Sequence, residues 1–145
     1  MPGQDGRHAQ STLPPEVAEL FARPNPAVVA VLRPKGAPMS VATWYLVESD
    51  GTVLLNMDAG RARLDWMRER PQVALTALKE GEWYTHVSIR GEVVRWDDDP
   101  ERGLADIDRL SVHYTGKPYR VRDRPRVSCW VRVDHWHGWG GAKAD

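Results

Sequence analysis

The sequence predicts a mainly β domain, a small antiparallel barrel of six strands with three short helices set against it. Three observations lead there. Apolar residues alternate or run together in six short segments separated by turn signals, whereas helical spacing occurs in only three stretches, each closed by proline or glycine. The order α-β-β-β-α-β-β-α-β suits an antiparallel barrel with helices plugging its ends, and with so many short strands full closure also removes the open edges.

The first eleven residues are polar and glycine-containing, which predicts a frayed tail over 1–12 before a single domain over 13–141 and a short tail over 142–145. Thr12-Leu13-Pro14-Pro15-Glu16 opens the first helix, with Leu13, Val17, Leu20 and Phe21 on one face and Pro24 and Pro26 beyond its end. Ala27–Leu32 is a continuous apolar run, followed by the turn Arg33-Pro34-Lys35-Gly36. Met39–Val47 is the second strand, and Ser49-Asp50-Gly51 turns the chain into the third, Thr52–Met57. Neither face of Met39–Val47 is polar, so a core must cover one and a helix, a ligand or another subunit the other.

Arg61–Arg70 reads as the second helix, ended by Pro71. Gln72–Leu78 is a strand, and Trp83–Trp96 is the longest strand candidate, with Gly91 marking a bulge or bend. Asp97-Asp98-Asp99-Pro100-Glu101 opens the third helix, whose inner face carries Leu104, Ile107, Leu110 and Ser111 and which Gly116-Lys117-Pro118 breaks. Val127–Trp136 is the last strand, and His135–Gly141 reads as an aromatic tail loosened by glycine.

Composition narrows the function classes. The 145 residues suit one domain, and 41% apolar with 28% charged is ordinary for a globular chain. Formal net charge is zero, so nothing in the balance favours nucleic acid or an anionic membrane. No run is long and apolar enough to span a bilayer. The one cysteine, Cys129, lies in an apolar run, which excludes an internal disulfide, predicts a buried inert thiol and suits a reducing cytoplasm.

The chemistry points to the start of the second helix. Arg61 and Arg63 lie in its first turn, where unpaired backbone N–H groups already carry partial positive charge and acids would be the favourable choice. One reading points both guanidinium groups into water, with Arg61 paired to Asp65 four residues on. The other holds a phosphate or carboxylate between two guanidinium forks and the helix terminus. His135 and His137 lack a third ligand nearby, so no metal site is predicted, and no Ser-His-Asp pattern or useful carboxylate pair is present.

Met39–Tyr45, the turn Asp50-Gly51, the element Arg61–Leu75, Val87–Val93 and Tyr114-Thr115-Gly116 occur in the order found in the split β-barrel flavin and deazaflavin proteins. Over about residues 16–137 the chain resembles this pyridoxamine-phosphate-oxidase-like superfamily, and within it the deazaflavin (coenzyme F420)-dependent oxidoreductases of type B. The resemblance implies an FMN-binding type of split barrel, a homodimer with cofactor sites at the interface, and F420 as cofactor with FMN as the alternative. It places the phosphate at Arg63, where the family often has Lys, with Arg61 beside it. It also puts Val41, Ala42, Thr43 and Trp44 beside the ring, and Met57, Asp58 and Ala59 in the turn leading to the phosphate, next to Leu64.

The implied activity is hydride transfer from the reduced deazaflavin to an unsaturated or quinone-like small molecule, with the protein supplying orientation and a dry pocket. Arg33 or Lys35 would extend the anion groove, and Lys117, Arg120, Arg122 and Arg124 would reach a partner subunit's site. Tyr84 and His86 are the catalytic candidates on the substrate side, His86 as proton donor, with Trp136 or Trp139 from the tail. Two other classes remain. The seven tryptophans suit a barrel that stacks single-stranded nucleic acid, which the zero net charge opposes. A barrel of this kind can also carry a flavin, deazaflavin or haem without turnover.

Overall fold

The computed structural model describes residues 8–9 and 13–143. Eight strands form one antiparallel sheet: β1 (His8–Ala9), β2 (Ala27–Leu32), β3 (Pro38–Thr43), β4 (Leu46–Val47), β5 (Val53–Asp58), β6 (Gln72–Leu78), β7 (His86–Asp97) and β8 (Arg126–Trp139). The helices are α1 (Pro15–Phe21), α2 (Ala62–Glu69) and α3 (Pro100–Thr115). The rest of the predicted N-terminal tail and residues 144–145 lie outside the described residues. The sheet runs β3-β2-β6-β7-β8-β5-β4, with β1 added to β8.

The predicted strand Met39–Val47 is two strands, and its break is what makes the barrel split. β3 pairs with β2 at one edge of the sheet, whereas β4 pairs with β5 at the other. Between them Trp44 and Tyr45 turn their backbone to side chains: Thr43 Oγ1 donates to the Trp44 carbonyl at 2.9 Å and Tyr45 N donates to Tyr114 Oη at 3.4 Å. The chain thereby steps from one edge to the other. Residues that read as one alternating strand contain no Gly or Pro at this point, so the step left no signal.

Two other expectations change. β7 starts at His86 because residues 79–85 form a closed turn, with Lys79 N on the Thr85 carbonyl at 2.9 Å and the Thr85 hydroxyl on the Glu82 carboxylate. The residues expected as a loose tail extend β8 to Trp139, paired with His86, so β8 and not β7 is the longest strand. Gly138 serves close packing there, since a Cβ would come within 2.0 Å of the Ala142 carbonyl oxygen. Ala142 is itself buried, one residue past the predicted domain end. The bulge at Gly91 is present as a register shift between Arg90 and Gly91.

The core lies inside the curled sheet. Val17, Leu20 and Phe21 of α1 and Leu64 and Met67 of α2 pack there against Val29, Leu75, Ile89, Val131 and Trp136. Cys129 is buried in the same cluster, and burial pushes its thiol up to about 12. α3 covers the outside of β5 and β8 through Ile107 and Leu110 against Leu54 and Trp130. The outside of β3, β2 and β6 bears Ala42, Val28, Ala30, Ala74 and Thr76 in register, each at least partly exposed. Among the described residues no helix is long and apolar enough to cross a membrane.

Candidate functional site

α2 starts directly after β5, so the strand's end fixes where the first turn sits. Arg61 is its N-cap, in extended backbone and without a side-chain bond to the helix. Arg63, the second helical residue, turns back toward the sheet and donates from Nε to Met57 Sδ at 3.3 Å, a weak acceptor. Burial first, then the positive charges of Arg61 and Arg126, holds its pKa below the usual guanidinium value. Arg126 reaches the same place from the start of β8, which pairs with Asp58 at the end of β5. Its Nε donates to Asn56 Oδ1 at 2.6 Å, and its guanidinium carbon stands 5.0 Å from the centre of the Tyr119 ring.

Among the described residues neither Arg63 nor Arg126 forms an ion pair. Arg68, Arg102, Arg109, Arg122, Arg124 and Arg132 all meet carboxylates. Two half-buried guanidinium groups that repel each other and have no carboxylate in ion-pair contact can receive an anion, although Glu80 lines the same cleft.

Both line a cleft of about 630 Å³. Its wall is the outer face of the sheet at Val28 and Ala42, with Thr43 at the strand end and Asn56 and Glu80 also lining it, and Trp44 closes it, stacked on Tyr114 with ring centroids 5.3 Å apart and planes 14° from parallel. Tyr114 is fixed in turn, its hydroxyl donating to the Asn25 carbonyl at 2.7 Å, and burial pushes its pKa up to about 12, so it stays protonated at neutral pH. An apolar wall, an aromatic end and two uncompensated cations suit a planar ring with an anionic tail. A second hollow of about 390 Å³ on the outer sheet face holds Arg90, Glu92 and Asp134 and contains neither Arg63 nor Arg126.

The profile described as Pyridoxamine 5'-phosphate oxidase matches residues 13–140. The chain belongs to that family. Among solved structures, an F420 reductase is 24% identical over 81% of this chain and 93% of that chain, with a TM-score of 0.71. A conserved hypothetical protein of Mycobacterium tuberculosis is 22% identical over 90% of this chain and 86% of its own, TM-score 0.70. HupZ of Group A Streptococcus is 14% identical over 92% of this chain and 100% of its own, TM-score 0.65. At these identities the likeness is one of fold, the split barrel of the pyridoxamine 5'-phosphate oxidase family. A search of curated proteins gives no match.

Of the residues singled out by sequence in this family member, the cleft gathers Ala42, Thr43, Trp44 and Arg63. Val41, Met57 and Leu64 pack on or in the core, behind the cleft wall. Asp58 pairs with Arg124 at 3.3 Å, and Ala59 N donates to the Pro125 carbonyl at 3.0 Å, so the turn holds the start of β8 in place. Arg61 is exposed beside the cleft and does not pair with Asp65. Tyr84, 56% exposed, and His86 lie beyond the wall rather than in it, with His86 opposite Leu78, which lines the cleft. His86 Nδ1 contacts the Tyr84 carbonyl at 2.9 Å; a carbonyl only accepts, so Nδ1 carries the hydrogen.

The wider candidates separate as well. Arg33 stacks over Trp66 at 5.7 Å, Arg122 pairs with Asp108 at 2.8 Å, and Trp136 is buried in the core. Lys117 and Arg120 line a neighbouring hollow of about 650 Å³ on the other side of Trp44 and Tyr119. His86 and His137 approach with ring centroids 6.5 Å apart, but among the described residues no group of three or more His, Cys, Asp or Glu gathers as a metal site would need. Arg126 escaped the sequence reading because it sat in a run of basic loop residues. Its distinguishing sign is position, at a strand start that pairs with the strand leading into α2.

Proposed function

We propose that the protein is a deazaflavin-dependent oxidoreductase that reduces an unsaturated or quinone-like small molecule in the cytoplasm, working as a homodimer. The observation that carries this reading is the pair Arg63 and Arg126, half-buried and without ion pairs, in a cleft that Val28, Ala42, Trp44 and Tyr114 also line. The donor set fits the cofactor: the guanidinium groups would hold its phosphate, and Ala42, Thr43 and Trp44 would flank its ring. When bound, the reduced deazaflavin supplies two electrons as a hydride.

The residues of the chain contribute binding, orientation and dryness. Arg63 and Arg126 anchor the anionic end, with Arg61 adding charge from the rim. Trp44, locked by its stack on Tyr114, limits how far a bound ring slides, and the alkyl wall at Val28 and Ala42 excludes water. His86, opposite Leu78 and just beyond the wall, is the proposed proton source, while Tyr84 at the same turn would contact substrate. The partly exposed face at Val28, Ala30, Ala42, Ala74 and Thr76 supports a second subunit there, which would complete the cleft's open side.

FMN is the second reading, favoured by the family to which the chain belongs. Equilibrium titration of the purified protein with F420 and with FMN, followed by cofactor fluorescence, separates the two. Micromolar or tighter binding of F420, with FMN weaker, is the expected result. Preference for FMN would replace the deazaflavin reading, and binding of either without reduction of any member of a quinone and enone panel would leave a carrier.

A further inference from the structure

Arg126 is held at the end of a chain of groups that begins at a buried carboxylate. Asp106, 1% exposed on the buried side of α3, accepts from Arg102 Nε at 2.8 Å, from Arg109 Nη1 at 3.0 Å and from Ser128 Oγ at 2.7 Å. Since the Ser128 hydroxyl spends its hydrogen on that carboxylate, it accepts from Asn56 Nδ2 at 3.0 Å. The same Nδ2 donates to the Gly103 carbonyl at 2.9 Å. A carbonyl only accepts, so the amide has one orientation, and its Oδ1 must face Arg126 Nε.

Every link runs in a single direction, and the last one is neutral. The charge of Asp106 is balanced by Arg102 and Arg109, whereas Arg126 receives an amide oxygen that fixes its position and leaves its charge unspent. A carboxylate at position 56 would hold the guanidinium more strongly and cancel it. Gly103 belongs to the same device. A Cβ there would lie 2.1 Å from the Arg126 carbonyl oxygen, so only glycine lets α3 come close enough for Asn56 to bridge it to β8.

We infer that Asn56, oriented by Ser128 and Asp106, is a positioning residue that presents Arg126 to the anionic group of the ligand in the cleft. This rests on the anion-binding reading of the cleft above, and it names how one of the two cations is set before the ligand arrives. Preorganisation of this kind lowers the ordering cost of binding.

A double-variant cycle on the full chain tests it, with Asn56→Ala, Arg126→Ala and their combination titrated with inorganic pyrophosphate, F420 and FMN, and thermal midpoints recorded for each. Arg126→Ala and Asn56→Ala should each weaken binding about tenfold or more, and the double variant should bind no more weakly than Arg126→Ala alone. Asn56→Asp should bind at least as weakly as Asn56→Ala. Additive losses in the double variant, or a folded Asn56→Ala that binds like the wild type, would overturn the inference while leaving the cofactor reading in place. Pyrophosphate binding with full coupling but no binding of F420 or FMN would uphold the inference and remove the cofactor reading. If wild type binds none of the three, both fall. Should Asn56→Ala fail to fold, Ser128→Ala must show a milder loss in the same direction, again coupled to Arg126, or the relay is wrong.

Discussion

Two helices of this chain begin in opposite ways. α3 is completed from within: Asp99 caps it, accepting from Glu101 N at 3.2 Å, Pro100 occupies the first position, and Glu101 adds negative charge to the first turn. α2 has an arginine as N-cap with no capping bond and a second arginine two residues on. A good cap contributes about 1 kcal/mol, which α2 forgoes, and although Asp65 lies in its first turn, the two arginines put positive charge where negative charge is worth about 0.3–1 kcal/mol. The difference teaches that a helix terminus left incomplete by its own sequence, beside a second uncompensated cation, is one to be completed by a ligand.

Breaking α2's side of this contrast should have the largest effect. Arg63→Ala removes a charge-assisted contact worth about 1.5–3 kcal/mol, so cofactor affinity measured by calorimetry should fall about tenfold to a hundredfold. The thermal midpoint should hardly move, because Arg63 has no ion pair to lose. A large drop in midpoint with affinity intact would make Arg63 structural. Breaking α3's side should do the reverse: Asp99→Ala should cost about 1 kcal/mol and lower the midpoint by about 2–4 °C, with cofactor affinity unchanged. Equal loss of affinity would show that the two termini are not separate in function.

The smallest effect sharpens the contrast by giving α2 the start that α3 has. Arg61→Asp supplies a cap and a favourable charge, which should raise the midpoint by about 1–2 °C while weakening cofactor binding a few-fold. Opposite signs on stability and affinity are the mark of a terminus built for a ligand. A variant that gains stability and keeps its affinity would assign Arg61 no part in the site.

Much of this was legible in the sequence, and the limits have physical causes. The cap and stop of α3, the Gly91 register shift and the arginine-rich, uncapped start of α2 are local, so residue chemistry alone reveals them. At the break Tyr45 N bonds to Tyr114, far along the chain, a contact that no local pattern encodes. Glycines at the end of β8 read as flexibility because sequence cannot show that Ala142 folds back onto Gly138. Arg63 was visible through its helix. Arg126 was not, since strand pairing alone distinguishes it from Arg122 and Arg124, which face carboxylates.

The central claim is that the anionic part of the cofactor is held between Arg63 and Arg126. A crystal structure of the protein with F420 tests it most directly. The account predicts phosphate oxygens within about 3 Å of both guanidinium groups and the ring beside Ala42, Thr43 and Trp44. A cofactor bound with its phosphate on Lys117 and Arg120, or anywhere that leaves Arg63 and Arg126 without an anion, would contradict it.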